Sequence, residues 1–134
     1  MSLLRVIYSS HPFGFNVSSL SGILNDAWRN NLRDDISGAL ICRADVYLQL
    51  LEGPPIAVKA AMDRIKLDDR HVDITPHVSG PVTERLFGDW AMLDDPARSW
   101  LWTQEEVAQD ALKNATEEEV LAVFTRLAEE TRVH

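Results

Sequence analysis

An α+β sandwich of ferredoxin-like connectivity is the fold class the sequence predicts. Three observations lead there. The periodic segments run in the order β-α-β-β-α-β-β. The first six follow the split βαβ pattern, with helices on one face of the sheet. At 134 residues, the chain suits one domain. The expected sheet is mixed and five-stranded, with two helices on one face. Its other face needs a cover, which the C-terminal segment is expected to supply.

Leu3 to Ser9 alternates and is rich in β-formers, which predicts a strand with Leu4, Val6 and Tyr8 on one face. His11-Pro12-Phe13-Gly14 reads as a loop. Ser18 or Ser19 then caps a helix to about Asn31, its stripe being Leu20, Ile23, Leu24 and Ala27. Ile36–Arg43 and Val46–Glu52 read as strands joined through Ala44-Asp45, a hairpin. Gly53-Pro54-Pro55 opens a helix to about Leu67, with Val58, Ala61, Met62 and Ile65 inward. After the Asp68-Asp69-Arg70 turn, His71–Val78 reads as a strand, and Pro76 predicts an edge position or a bulge. Gly80-Pro81 reads as a turn, and Leu86–Leu93 as the fifth strand.

Beyond Trp100 and Trp102 the pattern turns helical over about Thr103–Lys113. A second tail helix starts at Thr116, where Thr116-Glu117-Glu118-Glu119 matches a capping box. Val120, Phe124 and Leu127 form its inward stripe. The expected division is 1–97 for the compact domain and 98–134 for a helical extension. That extension packs on the open sheet face or forms an oligomer contact.

Charge and motifs exclude several classes. The net charge is −8, of which residues 103–134 contribute −5, with 3 basic and 8 acidic side chains. Nucleic-acid binding needs the opposite balance. Cys42 is the only cysteine, so no internal disulfide forms and a reducing compartment fits. The histidines 11, 71, 77 and 134 lack metal-ligand spacing, so no metal is expected. GxGxxG, GxxxxGK[ST] and GxSxG are absent. The N-terminus has no signal-peptide character and no apolar run reaches the roughly 18 residues of a membrane helix. The expectation is a soluble cytoplasmic protein with no membrane or nucleic-acid partner.

Three polar residues sit where the pattern asks for apolar ones. Tyr8 shares a strand face with Leu4 and Val6, and Gln49 lies between Tyr47 and Leu51 on their face. Asn31 continues the helical stripe of Leu20, Leu24 and Ala27. Singly, each has an ordinary explanation: a ring packed with its hydroxyl to water, a helix end, a solvated sheet face. Together they suggest an enclosed flat ligand with a heteroatom edge, since buried amides need partners. An isoalloxazine ring fits that description. Arg64 and Lys66 stand near the second helix's end and could meet a phosphate, though a solvated role suits Lys66 better.

The chain resembles the BLUF family, blue-light sensors using FAD, over about residues 3–95. The matching segments are Arg5-Val6-Ile7-Tyr8-Ser9-Ser10, Arg29 to Gly38, Tyr47-Leu48-Gln49-Leu50-Leu51-Glu52-Gly53-Pro54, Arg64-Ile65 with Asp68-Asp69-Arg70-His71, and Arg85 to Met92. No single motif is decisive; the ordered set is specific. The resemblance implies that Tyr8 is the redox-active tyrosine and Gln49 the glutamine that switches hydrogen bonding. It implies Asn31 and Asn30 at the flavin ring edge, with Ile23 also in the cofactor site. Arg64 and Asp68 fall near the flavin side chain. Trp90 and Met92 fall on the fifth-strand pair that relays the signal. FAD is the implied cofactor, FMN and riboflavin being the alternatives. The segment Ser10–Asn16, Tyr47 and the pair Gly38-Ala39 depart from the usual pattern without removing a photochemical residue.

On that resemblance, light drives an electron and a proton from Tyr8 toward the ring, and Gln49 ends rotated or tautomerised. A small red shift follows without a covalent bond. The output is expected through an effector protein or a homo-oligomer. The main competing expectation is a light-insensitive module for a flavin or another flat ligand. An acylphosphatase-like enzyme would need an Arg in Ser10–Gly14 and an Asn to position water, and neither is there. A flavin reductase would need a nicotinamide site, for which no motif is found.

Overall fold

The strand β1 (Leu3–Pro12) is an inner strand of the sheet, bonded to a partner on each side. The computed structural model describes residues 3–12, 17–43, 46–67, 71–87, 93–96 and 115–132. Along the chain, β1 is followed by α1 (Val17–Asp34), β2 (Ser37–Arg43), β3 (Val46–Gly53), α2 (Pro55–Leu67), β4 (His71–Val82), β5 (Leu93–Pro96) and α3 (Glu117–Arg132). Four strands pair antiparallel in the order β4-β1-β3-β2, and the short β5 lies parallel beside β2. The class is α+β, with the strand order of the split βαβ pattern.

The two-residue side-chain period divides the sheet into two faces. Val6, Tyr8, Leu40, Tyr47 and Leu51 are buried on one, against Val58 and Ala61 of α2. Ile7, Ala39, Ile41, Leu48 and Leu50 are buried on the other, against Val120, Phe124, Leu127 and Ala128 of α3. The expected cover is therefore present. Its start is a capping box: the Thr116 hydroxyl oxygen accepts from Glu119 N at 3.1 Å, and a Glu119 carboxylate oxygen accepts from Thr116 N at 3.2 Å. Burying each large apolar side chain of that stripe contributes about 1.5–3 kcal/mol.

Several boundaries differ from expectation. His11 and Pro12 belong to β1, and Gly80-Pro81 lies inside β4, because β1 and β4 pair along almost their whole lengths. Long-range pairing overrides the local turn signal, and an edge strand tolerates proline's missing donor. Of the edge position or bulge expected at Pro76, both are present: β4 is an edge strand, and Ile7 pairs with Val78 and Tyr8 with Pro76, leaving His77 as the extra residue. The expected fifth strand differs at its start: Leu86 and Phe87 lie in a bend, residues 88–92 lie outside the described residues, and β5 spans Leu93–Pro96. The Phe87 N–H donates to the Glu52 carboxylate at 2.7 Å, so it is not available to a ladder. The hairpin tip 44–45, the 103–113 helix, Trp100 and Trp102 lie outside the described residues.

His77 is half-buried, its Nε2 2.8 Å from the Ser9 hydroxyl. Burial pushes the imidazole below its ordinary value. The unfolded chain therefore binds this proton more readily, and stability falls as pH drops through about 6.5 and below. Urea midpoints should be lower at pH 5.5 than at pH 7.5, and His77→Gln should narrow that gap.

Candidate functional site

Tyr8 and Gln49 stand directly opposite one another in the β1–β3 register. Cross-strand neighbours on one face are close enough for their side chains to meet. The Tyr8 hydroxyl donates to the Gln49 amide oxygen. Both are enclosed, Tyr8 at 1% exposure and Gln49 at 4%. Neither follows the ordinary explanation of a solvated strand residue. Leu40 lies on Gln49's other side, in register on β2.

Asn31 is placed by a helix cap. Ile36 N donates to the Asn31 carbonyl at 2.9 Å, and Asp35 between them has φ 59°. This is a six-to-one Schellman closure with aspartate in the left-handed position where glycine is usual. Two contacts hold the turn. The Arg85 guanidinium donates to the Asp35 carbonyl at 2.8 Å and pairs with its carboxylate at 3.2 Å. Gly53 lets the strand pass close by, since a Cβ there would sit 2.8 Å from that carbonyl. The buried Ile36 anchors the cap in the cluster that contains Tyr8. Asn31 is 3% exposed at the end of α1, and Asn30 beside it is half-buried.

Arg64, in the last turn of α2, pairs with Asp34 at 3.2 Å and so links the ends of the two helices. The Arg33 guanidinium, hydrogen-bonded to Asp34, holds that carboxyl below the usual range, and Arg64 adds to the effect. Ile23 lies on α1. Asp68, Trp90 and Met92 fall outside the described residues. Gly38, one of the departures noted in the sequence, has a physical cause. A Cβ there would collide with the Leu50 carbonyl oxygen of β3.

The sequence reading missed a second polar cluster on the opposite face. Glu52 is fully buried and accepts from Arg5 Nε at 3.2 Å and from Phe87 N. The signal was a charged residue in period two with Leu48 and Leu50.

The side chains brought together are the Tyr8 phenol and the Gln49 carboxamide, within apolar walls that include Val6, Leu40, Leu51 and Val58, while Asn31 is buried at the end of α1. Among the described residues, no group of three His, Cys, Asp or Glu could hold a metal. This donor set fits a flat heteroaromatic ring whose faces want apolar contact and whose edge wants amide partners. Fold and site together define a small α+β domain with a buried tyrosine–glutamine hydrogen bond on the α2-covered face of its sheet.

The family model described as sensors of blue-light using FAD, BLUF, matches residues 3–93. Photoactivated adenylate cyclase subunit beta of Euglena gracilis is 36% identical over 74 residues, which cover 54% of this chain and 9% of that protein. The blue light- and temperature-regulated antirepressor BluF of Escherichia coli (strain K12) is 32% identical over 91 residues, or 67% of this chain and 23% of that protein. The dark-state structure of BlrB, a BLUF protein, aligns with a TM-score of 0.80 at 26% identity, covering 96% of this chain and 97% of that one. The chain spans about a tenth of the length of the cyclase subunits it matches.

The chain belongs to the BLUF family. Residues 3–93 form a blue-light sensor domain of that family, which uses FAD in the family's description.

Proposed function

We propose that Tyr8 and Gln49 are the photoactive pair of this sensor, within a unit of residues 1–97 whose output passes through residues 98–134. The observation that carries this reading is the buried hydrogen bond between two side chains set opposite one another in the register. Flavin, when bound, supplies blue-light absorption and an excited state that takes up an electron. Tyr8 gives up an electron and its hydroxyl proton, the proton leaving along the bond that now ends at Gln49. With that donor altered, the Gln49 amide turns or tautomerises and presents an N–H where it had presented oxygen. Return of the electron and a proton to Tyr8 would restore its neutral phenol and leave the Gln49 amide in its new arrangement. A shift of about 1 kcal/mol in such a bond biases a two-state element.

Asn31 and Asn30 hold the ring edge, Ile23 belongs to the cofactor site, and Arg64 with Asp68 stands by the flavin side chain. Trp90 and Met92 relay the change from the fifth-strand segment. The E. coli relative is by name an antirepressor, which supports output to an effector protein. A homo-oligomer is the other output, and the cytoplasm is the proposed location. No helix among the described residues is long and apolar enough to cross a membrane.

One absorption spectrum before and one after blue light test the reading. Purified protein should be yellow, shift reversibly to the red, and release its flavin on denaturation. A yellow protein with no shift would favour the light-insensitive module. Asn31→Ala should lower the flavin content on purification, and an unchanged flavin-to-protein ratio would remove Asn31 from the ring edge.

A further inference from the structure

Glu52 is on β3 three residues after Gln49, and its side chain is on the opposite face, with Leu48 and Leu50. Apolar side chains of that face pack under α3, yet Glu52 has no exposure at all. A buried carboxylate persists only when its oxygens are paired and hydrogen-bonded. Here each oxygen has a partner of its own. One accepts from Arg5 Nε at 3.2 Å, and the other from the backbone N–H of Phe87 at 2.7 Å, in the short range of charge-assisted bonds.

The second bond ties the segment after β4 to β3. The same segment is pinned again at the adjacent residues Glu84 and Arg85. Arg5 Nη2 donates to the Glu84 carbonyl at 3.1 Å, and Arg85 donates to the Ser37 hydroxyl at 3.0 Å and the Asp35 carbonyl at 2.8 Å. Phe87, so held, puts its ring edge-on to Phe124 of α3, with centroids 6.3 Å apart at 88°. Both rings are fully buried. A rigid tie therefore runs from the strand that carries Gln49 to the helix covering the far face.

We propose that Glu52 is a positioning residue of the light response, passing movement of β3 to α3 through Phe87 and Phe124. The proposal rests on the reading of Gln49 as the switching side chain. Packing alone would be served by an apolar residue at position 52. The carboxylate instead makes the Phe87 backbone follow β3. A change at Gln49 that shifts the strand backbone then displaces Phe87 against Phe124, with no contact between flavin and α3.

The test is backbone hydrogen exchange of residues 117–132 in the full FAD-loaded chain, in the dark and under blue light, with the flavin red shift recorded on the same samples. The wild type should show a light-dependent difference in α3. Glu52→Gln should keep the red shift and near wild-type dark exchange, while the light-minus-dark difference falls at least about fivefold, a coupling of ordinary allosteric size. Phe87→Leu, which keeps an apolar side chain and loses the edge contact, should do the same, and it decides the matter if Glu52→Gln does not fold.

A purely structural role would speed exchange equally in dark and light and preserve the difference. That result overturns the proposal, as does a wild-type α3 that ignores light while the red shift is present. Failure of the underlying reading looks different: Gln49→Leu would then retain the red shift.

Discussion

Tyr8→Phe should abolish the light-induced red shift while FAD remains bound. Phenylalanine keeps the ring that packs among Val6, Leu40 and Leu51, so the pocket wall is preserved. What disappears is the hydroxyl that donates to the Gln49 amide oxygen. The side chain can then neither release a proton at that atom nor alter the bond that holds the amide. Losing a buried donor costs about 1–3 kcal/mol, enough to lower the melting temperature by a few degrees but not to unfold the domain. The light-minus-dark spectrum should be flat, with a flavin-to-protein ratio close to wild type. Photoconversion persisting in that variant would take the phenol out of the chemistry.

Phe124→Ala should have the largest effect on stability, about 3–5 kcal/mol. The ring has no exposure and meets Phe87 edge-on between the sheet and α3. Removing it takes away apolar burial, the aromatic pair and the filler of a packed layer together. Whole domains are stable by only about 5–15 kcal/mol, so the loss should drop the urea midpoint sharply. Detachment of α3 would also bare Ile7, Leu48 and Leu50, a patch expected to promote aggregation. Phe124→Leu should recover most of the loss. Equal midpoints for wild type and the alanine variant would mean that α3 is not a structural part of the domain.

The local signals in the sequence were strong for some elements and misleading for others. The alternation of Leu4, Val6 and Tyr8, and of Tyr47, Gln49 and Leu51, placed both photoactive candidates on one face, where the structure buries them. The Thr116–Glu119 capping box marked α3 because all its atoms lie within one turn. Gly80-Pro81 and His11-Pro12 misled, because β1 and β4 are joined by pairing between residues some seventy positions apart. The start of the fifth strand was placed too early for a similar reason, since Leu86 and Phe87 lie in a bend. Whether Phe87 N–H joins a ladder was decided by Glu52, 35 residues away. Asn31 was singled out by its stripe, but the cap that positions it depends on Arg85, 50 residues on from Asp35.

By itself, the sequence determined the class of the fold, the two faces of its central strands and the residue types available for photochemistry, because side-chain period and chemistry are properties of neighbouring residues. The tertiary structure alone decided that the Tyr8 hydroxyl meets the Gln49 amide, that Glu52 is buried between Arg5 and Phe87, and that α3 closes the second face. Those are distances between segments far apart in the chain. They follow from strand order, register and bulges, which no local pattern specifies.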